Sequence, residues 1–82
     1  MRILIVEDDA VIAQGLARAL RQSGCAIDTV MNGREADVAL HTTPYDLVIL
    51  DLGLPGLPGI EVLRRLRARK NTTPVLILTA QD

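Results

Sequence analysis

Val48-Ile49-Leu50-Asp51-Leu52-Gly53-Leu54-Pro55-Gly56 is the stretch on which the fold turns. Leu47 to Leu50 is an unbroken apolar run, the pattern of a short strand buried on both faces. Such a strand needs helices on either side. The run stops at a carboxylate, Asp51, and glycine and proline follow at once. Asp51 is therefore expected at the carboxyl end of a buried strand, in the mouth of a loop. In open α/β sheets, ligands bind there.

The same pattern recurs on both sides. Ile3 to Val6 is a short apolar run rich in β-branched residues, ended by Glu7-Asp8-Asp9. Val75 to Leu78 is another buried-strand pattern, closed by Thr79-Ala80. Ala26 to Val30 alternates less cleanly, yet Ile27, Thr29 and Val30 favour a strand. Three helical segments fill the gaps. In Ala10 to Gln22, Ile12, Leu16 and Leu20 form one stripe, with Val11 and Ala19 beside it. Asp9 suits its N-cap or first turn, and Gly24 its end. Gly15 inside it costs under ~1 kcal/mol against alanine and is read as permitting close packing on the sheet. Arg34 to His41 follows, capped by Asn32 or Gly33, with small apolar positions at Ala36, Ala39 and Leu40. Gly59 to Arg69 is the third, with Ile60, Leu63 and Leu66 inward and Val62 flanking. Its cations, Arg64, Arg65, Arg67 and Arg69, with Lys70, lie towards the C-terminus, where they suit the macrodipole. They read as a solvated face, with partner docking the alternative. The order βαβαβαβ with short connections and right-handed crossovers gives an α/β fold, a parallel sheet with helices on both faces.

Composition sets bounds. Eighty-two residues make at most one domain, and with Tyr45 the one aromatic residue the core must be built from Val, Ile, Leu and Ala. A formal net charge of −1 argues against a strongly basic nucleic-acid surface. The single cysteine, Cys25, rules out an internal disulfide, fits a reducing compartment and reads as a small core or strand-edge residue. The apolar run after Met1-Arg2 is too short for a signal peptide or a membrane span, so a soluble cytoplasmic protein with no membrane partner is expected. With no P-loop, nucleotide binding is unsupported.

A parallel sheet brings the carboxyl ends of its strands to one edge. Glu7 and Asp8, Asp51 and Thr79 would meet there although far apart in sequence. Crowded carboxylates repel one another, and a hard divalent cation relieves the repulsion. Mg²⁺ takes one or two carboxylates and keeps positions for water and phosphate oxygens. A phosphoryl group then fits, with the Thr79 hydroxyl donating to it and Asp51 as the nucleophile that becomes an aspartyl phosphate. Singly, each residue has a plain structural use: an acid after a strand caps a helix, an Asp before Gly/Pro opens a turn, a Thr ends a strand. Together on one edge they point to a site.

On these residues the chain resembles the receiver domain of bacterial two-component response regulators. Ile3-Leu4-Ile5-Val6-Glu7-Asp8-Asp9 resembles the family's opening strand and acidic pair, and Leu47 to Gly56 its phosphorylation strand and loop. Pro58-Gly59-Ile60-Glu61-Val62-Leu63 resembles the start of its third helix, and Pro74 to Ala80 its fourth strand and switch position. The Asp-Leu-Gly-Leu-Pro-Gly version is most similar to transcription factors that carry a winged-helix DNA-binding domain after the receiver. The resemblance implies a flavodoxin-like doubly wound parallel sheet of strand order 2-1-3-4. It implies Asp51 as phosphoacceptor and Glu7 and Asp8 as the acidic pair that holds Mg²⁺, Asp8 the more directly and Glu7 through water. The Gly53 backbone carbonyl becomes a further metal ligand, Thr79 the switch hydroxyl, and the Ala80 N–H a donor to the phosphoryl group. Pro55 and Gly56 shape the loop, and Asp9 ranks below the acidic pair. The implied donor is a sensor histidine kinase, and DNA would be reached only through a C-terminal domain absent from this chain. Such a domain is a signalling module rather than a metabolic enzyme.

The family has five βα units, whereas this chain stops after the fourth strand. The fourth helix, fifth strand and fifth helix are missing, with the family's phosphoryl-binding lysine and its aromatic switch residue. Residues 1–82 are thus expected to form a partial receiver domain. Its fourth strand would be an uncovered apolar edge, and the chain weakly stable or associated as a homodimer or element-exchanged oligomer. The alternative reading is a degenerate receiver fragment that serves protein association. A metal-dependent phosphatase would need a general acid two residues after Asp51, where Gly53 stands.

Overall fold

Alternation along the strands sorts their side chains onto two faces of one sheet. The computed structural model, which describes residues 1–78, runs β1 (Arg2–Val6), α1 (Ala10–Gln22), β2 (Ala26–Val30), α2 (Gly33–Thr42), β3 (Leu47–Asp51), α3 (Gly59–Ala68) and β4 (Val75–Leu78). The strands pair in parallel in the order β2-β1-β3-β4, as expected. Leu4, Val6, Val48 and Leu50 face α2 and α3, where Ala36, Leu40, Val62 and Leu66 close the core. Ile3, Ile5 and Ile49 face the other way, onto Ala13 and Ala17 of α1. The doubly wound architecture follows: one helix on one face and two on the other.

Local chemistry fixes the helix ends. The Asp9 carboxylate accepts the Val11 and Ile12 N–H groups at 2.9 and 3.2 Å, so Asp9 is committed to capping α1. Gly24 ends α1 at φ +89°, a left-handed conformation that glycine adopts without steric penalty. Asn32 is the cap of α2, accepting the Glu35 N–H at 2.9 Å, while Glu35 reaches back to the Met31 N–H. Lys70 takes the left-handed position after α3 at φ +62°, a stop that no glycine signalled.

The inward stripes are rotated from those expected. On α1, the fully inward residues are Ala13 and Ala17, with Leu16 and Leu20 half-buried and Val11 and Ile12 exposed. Small side chains let the helix approach the sheet closely, and the bulkier ones then sit at its flank. Gly15 faces solvent, with open space where a Cβ would go, and does not serve packing on the sheet. On α3, Val62 and Leu66 are buried, Leu63 is half-buried, and Ile60 is 61% exposed. Gly59 sets that rotation by sitting directly on the end of β3. Cys25 is half-buried against the α1 face of the core.

β4 is the edge of the sheet among the described residues, with Leu76 53% and Ile77 36% exposed, so it is not buried on both faces. The α3 cations are more than a solvated face. Arg65 and Arg69 reach Asp37 of α2 at 3.3 and 3.4 Å, and Arg67 donates to the Asn71 and Thr73 carbonyls at 2.9 and 2.8 Å. No helix among the described residues is long and apolar enough to cross a membrane.

Candidate functional site

Register decides which residues meet. Val6 is level with Leu50, so Glu7 and Asp51 leave the sheet side by side, one residue past the pair. Asp51 is level with Leu78 of β4. Thr79 and Ala80, the expected switch hydroxyl and phosphoryl donor, lie outside the described residues. Carboxylate oxygens of Glu7, Asp8 and Asp51 all lie within 4.8 Å of one another. The expected cluster is thus assembled, from two strands that the chain separates by more than forty residues.

Its members differ in environment. Glu7 and Asp51 are 5% and 7% exposed, whereas Asp8 faces solvent. Burial pushes the Glu7 carboxyl above the usual range; the Asp9 N–H, donating at 3.0 Å, opposes this, and Asp8 and Asp51 add to the rise. Asp51 Oδ1 accepts the Gly53 N–H at 3.0 Å, which fixes its carboxylate in the loop mouth and brings Gly53 to the site. No arginine, lysine or histidine among the described residues pairs with Glu7, Asp8 or Asp51. Oxygen donors crowded without a protein counter-charge fit a hard divalent cation, and the open Asp8 side leaves room for water or phosphate oxygens.

Two glycines support the site in a way that the sequence reading missed. A Cβ on Gly59 would lie 2.6 Å from the Asp51 carbonyl oxygen and 2.8 Å from Leu52 Cα. A Cβ on Gly33 would lie 2.0 Å from the Leu57 carbonyl oxygen. Both glycines are buried at helix starts, where sequence showed Gly33 only as a possible cap and Gly59 only as the first residue of a helix. Gly56, read as shaping the loop, takes φ +72°. Cavities among the described residues lie away from the acids. One of about 370 Å³ is lined by Gln14, Arg18 and Thr29; another of about 770 Å³ is lined by Arg34, Val38, Leu57 and Arg65.

The model of the response regulator receiver domain family matches residues 3–82. The chain belongs to that family. As a receiver domain it is 51% identical over 82 residues to the transcriptional regulatory protein BasR of Escherichia coli K12, covering 100% of this chain and 37% of that protein. Among solved structures it resembles the response regulator TrrA of Thermotoga maritima, in complex with Mg(2+)-BeF, with TM-score 0.91 and 41% identity over 99% of this chain and 70% of that one. It also resembles the receiver domain of the sensor histidine kinase PA1611 of Pseudomonas aeruginosa PAO1, with a magnesium ion in its active site cleft. There the TM-score is 0.92 and the identity 33%, over 98% of this chain and 67% of that one. The receiver therefore spans little more than a third of a relative such as BasR, whose name describes a transcriptional regulator.

Proposed function

We propose that Asp51 is the phosphoacceptor of this receiver and that Glu7, Asp8, Asp51 and the Gly53 carbonyl form its Mg²⁺ site. The observation that carries this reading is the acidic cluster itself: two buried carboxylates and one open one at one sheet edge, with no protein cation paired to them among the described residues. The bound metal in the TrrA and PA1611 receivers supports the choice of cation.

In this reading a carboxylate oxygen of Asp51 attacks phosphorus of a phosphohistidine on a sensor histidine kinase. The P–N bond breaks, the imidazole keeps the electron pair and takes a proton from water, and Asp51 becomes an acyl phosphate. The Gly53 N–H, donating to Asp51 Oδ1 at 3.0 Å, holds that carboxylate in the loop mouth. Glu7 and Asp8 keep the mouth anionic and metal-binding. Mg²⁺, when bound, supplies the positive charge that offsets theirs and that of the phosphoryl oxygens. Thr79 and the Ala80 N–H are proposed to receive the phosphoryl group and to pass its arrival to neighbouring structure. The domain is a signalling module of the cytoplasm rather than a metabolic enzyme. It is part of a longer protein whose output domain binds DNA and regulates transcription.

A second reading, a receiver fragment serving association, draws on the exposed Leu76 and Ile77 of the edge strand β4. Intact mass after exposure to Mg²⁺ and acetyl phosphate separates the two. One phosphoryl mass on the wild-type chain, absent from Asp51→Asn, is expected. A wild-type chain that takes no phosphate, alone or with the sequence that follows residue 82, would overturn the phosphoacceptor reading and leave the association module.

A further inference from the structure

The loop between β3 and α3 carries Gly53, and through it the orientation of Asp51. It is seated at both ends on a residue without a side chain. At its far end the Leu57 carbonyl lies where a Cβ of Gly33 would be, 2.0 Å away, and the Leu57 Cβ lies 2.8 Å from the same point. At its near end α3 starts with Gly59 directly on the Asp51 carbonyl oxygen. Neither obstacle is the tip of a flexible side chain: the first atoms met are backbone. Leu54, between the two seats, is buried in the core, so the loop has little freedom to slide. Gly33 itself belongs to α2, whose first turn is fixed by the Asn32 cap. Its φ lies outside the left-handed region, so backbone conformation is not the reason for glycine.

We propose that Gly33 is a positioning residue for the acidic site: the missing side chain on α2 sets the Leu57 carbonyl, and with it the loop that places Gly53 and Asp51. This inference rests on the metal-site part of the reading above. It makes the start of α2 a point from which the site is tuned, although Gly33 touches none of the acids. Gly15 supplies the matched control, being another helical glycine whose added Cβ meets nothing within 4 Å.

The experiment compares Gly33→Ala with Gly15→Ala and wild type. The readouts are circular dichroism, the ¹⁵N–¹H resonance of Gly53, its response to titrated Mg²⁺, and phosphoryl uptake from acetyl phosphate. In Gly33→Ala the Gly53 resonance is expected to move before metal is added. Mg²⁺ affinity is expected to fall on the order of tenfold, the effect of disturbing the support of a metal ligand. Phosphoryl uptake should fall tenfold to a hundredfold, roughly the penalty of a misplaced reacting group, while the helical signal stays at the wild-type level. Gly15→Ala should match wild type throughout. A folded Gly33→Ala with an unmoved Gly53 resonance and wild-type Mg²⁺ affinity would overturn the proposal, as would losses that only track the unfolded fraction. If Gly33→Ala does not fold, Leu57→Gly loosens the same seat from the loop side and must shift Gly53 and weaken Mg²⁺ binding; wild-type behaviour there overturns the proposal equally. If the wild type binds Mg²⁺ but takes no phosphate, and Gly33→Ala still moves Gly53 and weakens the metal, the phosphoacceptor reading fails and the positioning role stands.

Discussion

Replacing Glu7 with glutamine should stabilise the receiver without Mg²⁺ and destabilise it, relative to wild type, once Mg²⁺ is saturating. Glu7 and Asp51 are both buried, with carboxylate oxygens within 4.8 Å. At that separation two unit charges repel by about 3.5 kcal/mol for an effective dielectric near 20, and by about 0.9 kcal/mol if water screens them fully. The wild-type protein already relieves part of this, because burial and its acidic neighbours raise the Glu7 carboxyl. A net gain of about 1–3 kcal/mol is therefore expected for Glu7→Gln, or roughly 5–20 °C in Tm for a domain of this size. Glutamine keeps an oxygen for the Asp9 N–H and offers an amide hydrogen to Asp51, so no buried group is orphaned. The exposed Asp8 serves as the control, and Asp8→Asn should gain less.

The pH dependence carries the same prediction. With its native value raised, Glu7 holds a proton in the folded state at pH values where the unfolded chain has released it. The associated stability is full below the ordinary glutamate range and is lost as pH rises through the raised native value. Wild type therefore weakens across that window and Glu7→Gln does not. Thermal melts from acid to neutral pH, in chelator and in excess Mg²⁺, test this. Mg²⁺ should lift the wild-type Tm according to its occupancy and leave the variant nearly unmoved. A Glu7→Gln chain less stable than wild type in chelator at neutral pH, or lifted equally by Mg²⁺, would refute the reasoning.

The remaining predictions concern packing. Val62→Ala should destabilise by about 2 kcal/mol or more, because the residue is 1% exposed between α3 and the sheet; Ile60→Ala, at 61% exposed, should stay within about 0.5 kcal/mol, and urea melts would show the contrast. Asp37→Ala removes the acid that Arg65 and Arg69 share, leaving Arg65 its contact with Glu61, and should cost about 1 kcal/mol in low salt, shrinking at high salt in the same melts.

Most of the fold was legible because its signals are short-range. The apolar runs at Ile3–Val6, Leu47–Leu50 and Val75–Leu78 have no helical alternative at that length, and Asp9, Gly24 and Asn32 mark helix ends by local hydrogen bonding or conformation. What was not legible depends on tertiary approach. Ile12 and Ile60 are large and apolar at helical spacing, so periodicity alone turns them inward. The sheet instead takes Ala13, Ala17 and Val62 at the points of closest approach. Arg65 and Arg69 looked like a surface because the partner they share, Asp37, lies on another helix. For the site, Glu7, Asp8 and Asp51 could be placed together from topology alone, since a parallel sheet returns every carboxyl end to one edge. The roles of Gly33 and Gly59 could not, because nothing in a lone glycine says what fills the space its side chain would take.

Electrostatics and packing oppose each other at this edge of the sheet. Val6 and Leu50 are fully buried, and the residues that follow them, Glu7 and Asp51, leave the core without leaving its low-dielectric surroundings. That placement strengthens repulsion between the carboxylates, and by the same physics it would strengthen their hold on a cation. A site built only from repelling acids would spread apart. Here the spreading is resisted by backbone: the Asp9 N–H on Glu7, the Gly53 N–H on Asp51, and a loop wedged between two helix starts that carry no side chain. The glycines and the acids are therefore parts of one device. The acids supply a charge deficit that a ligand can fill, and the glycines keep that deficit from being relaxed by movement of the loop.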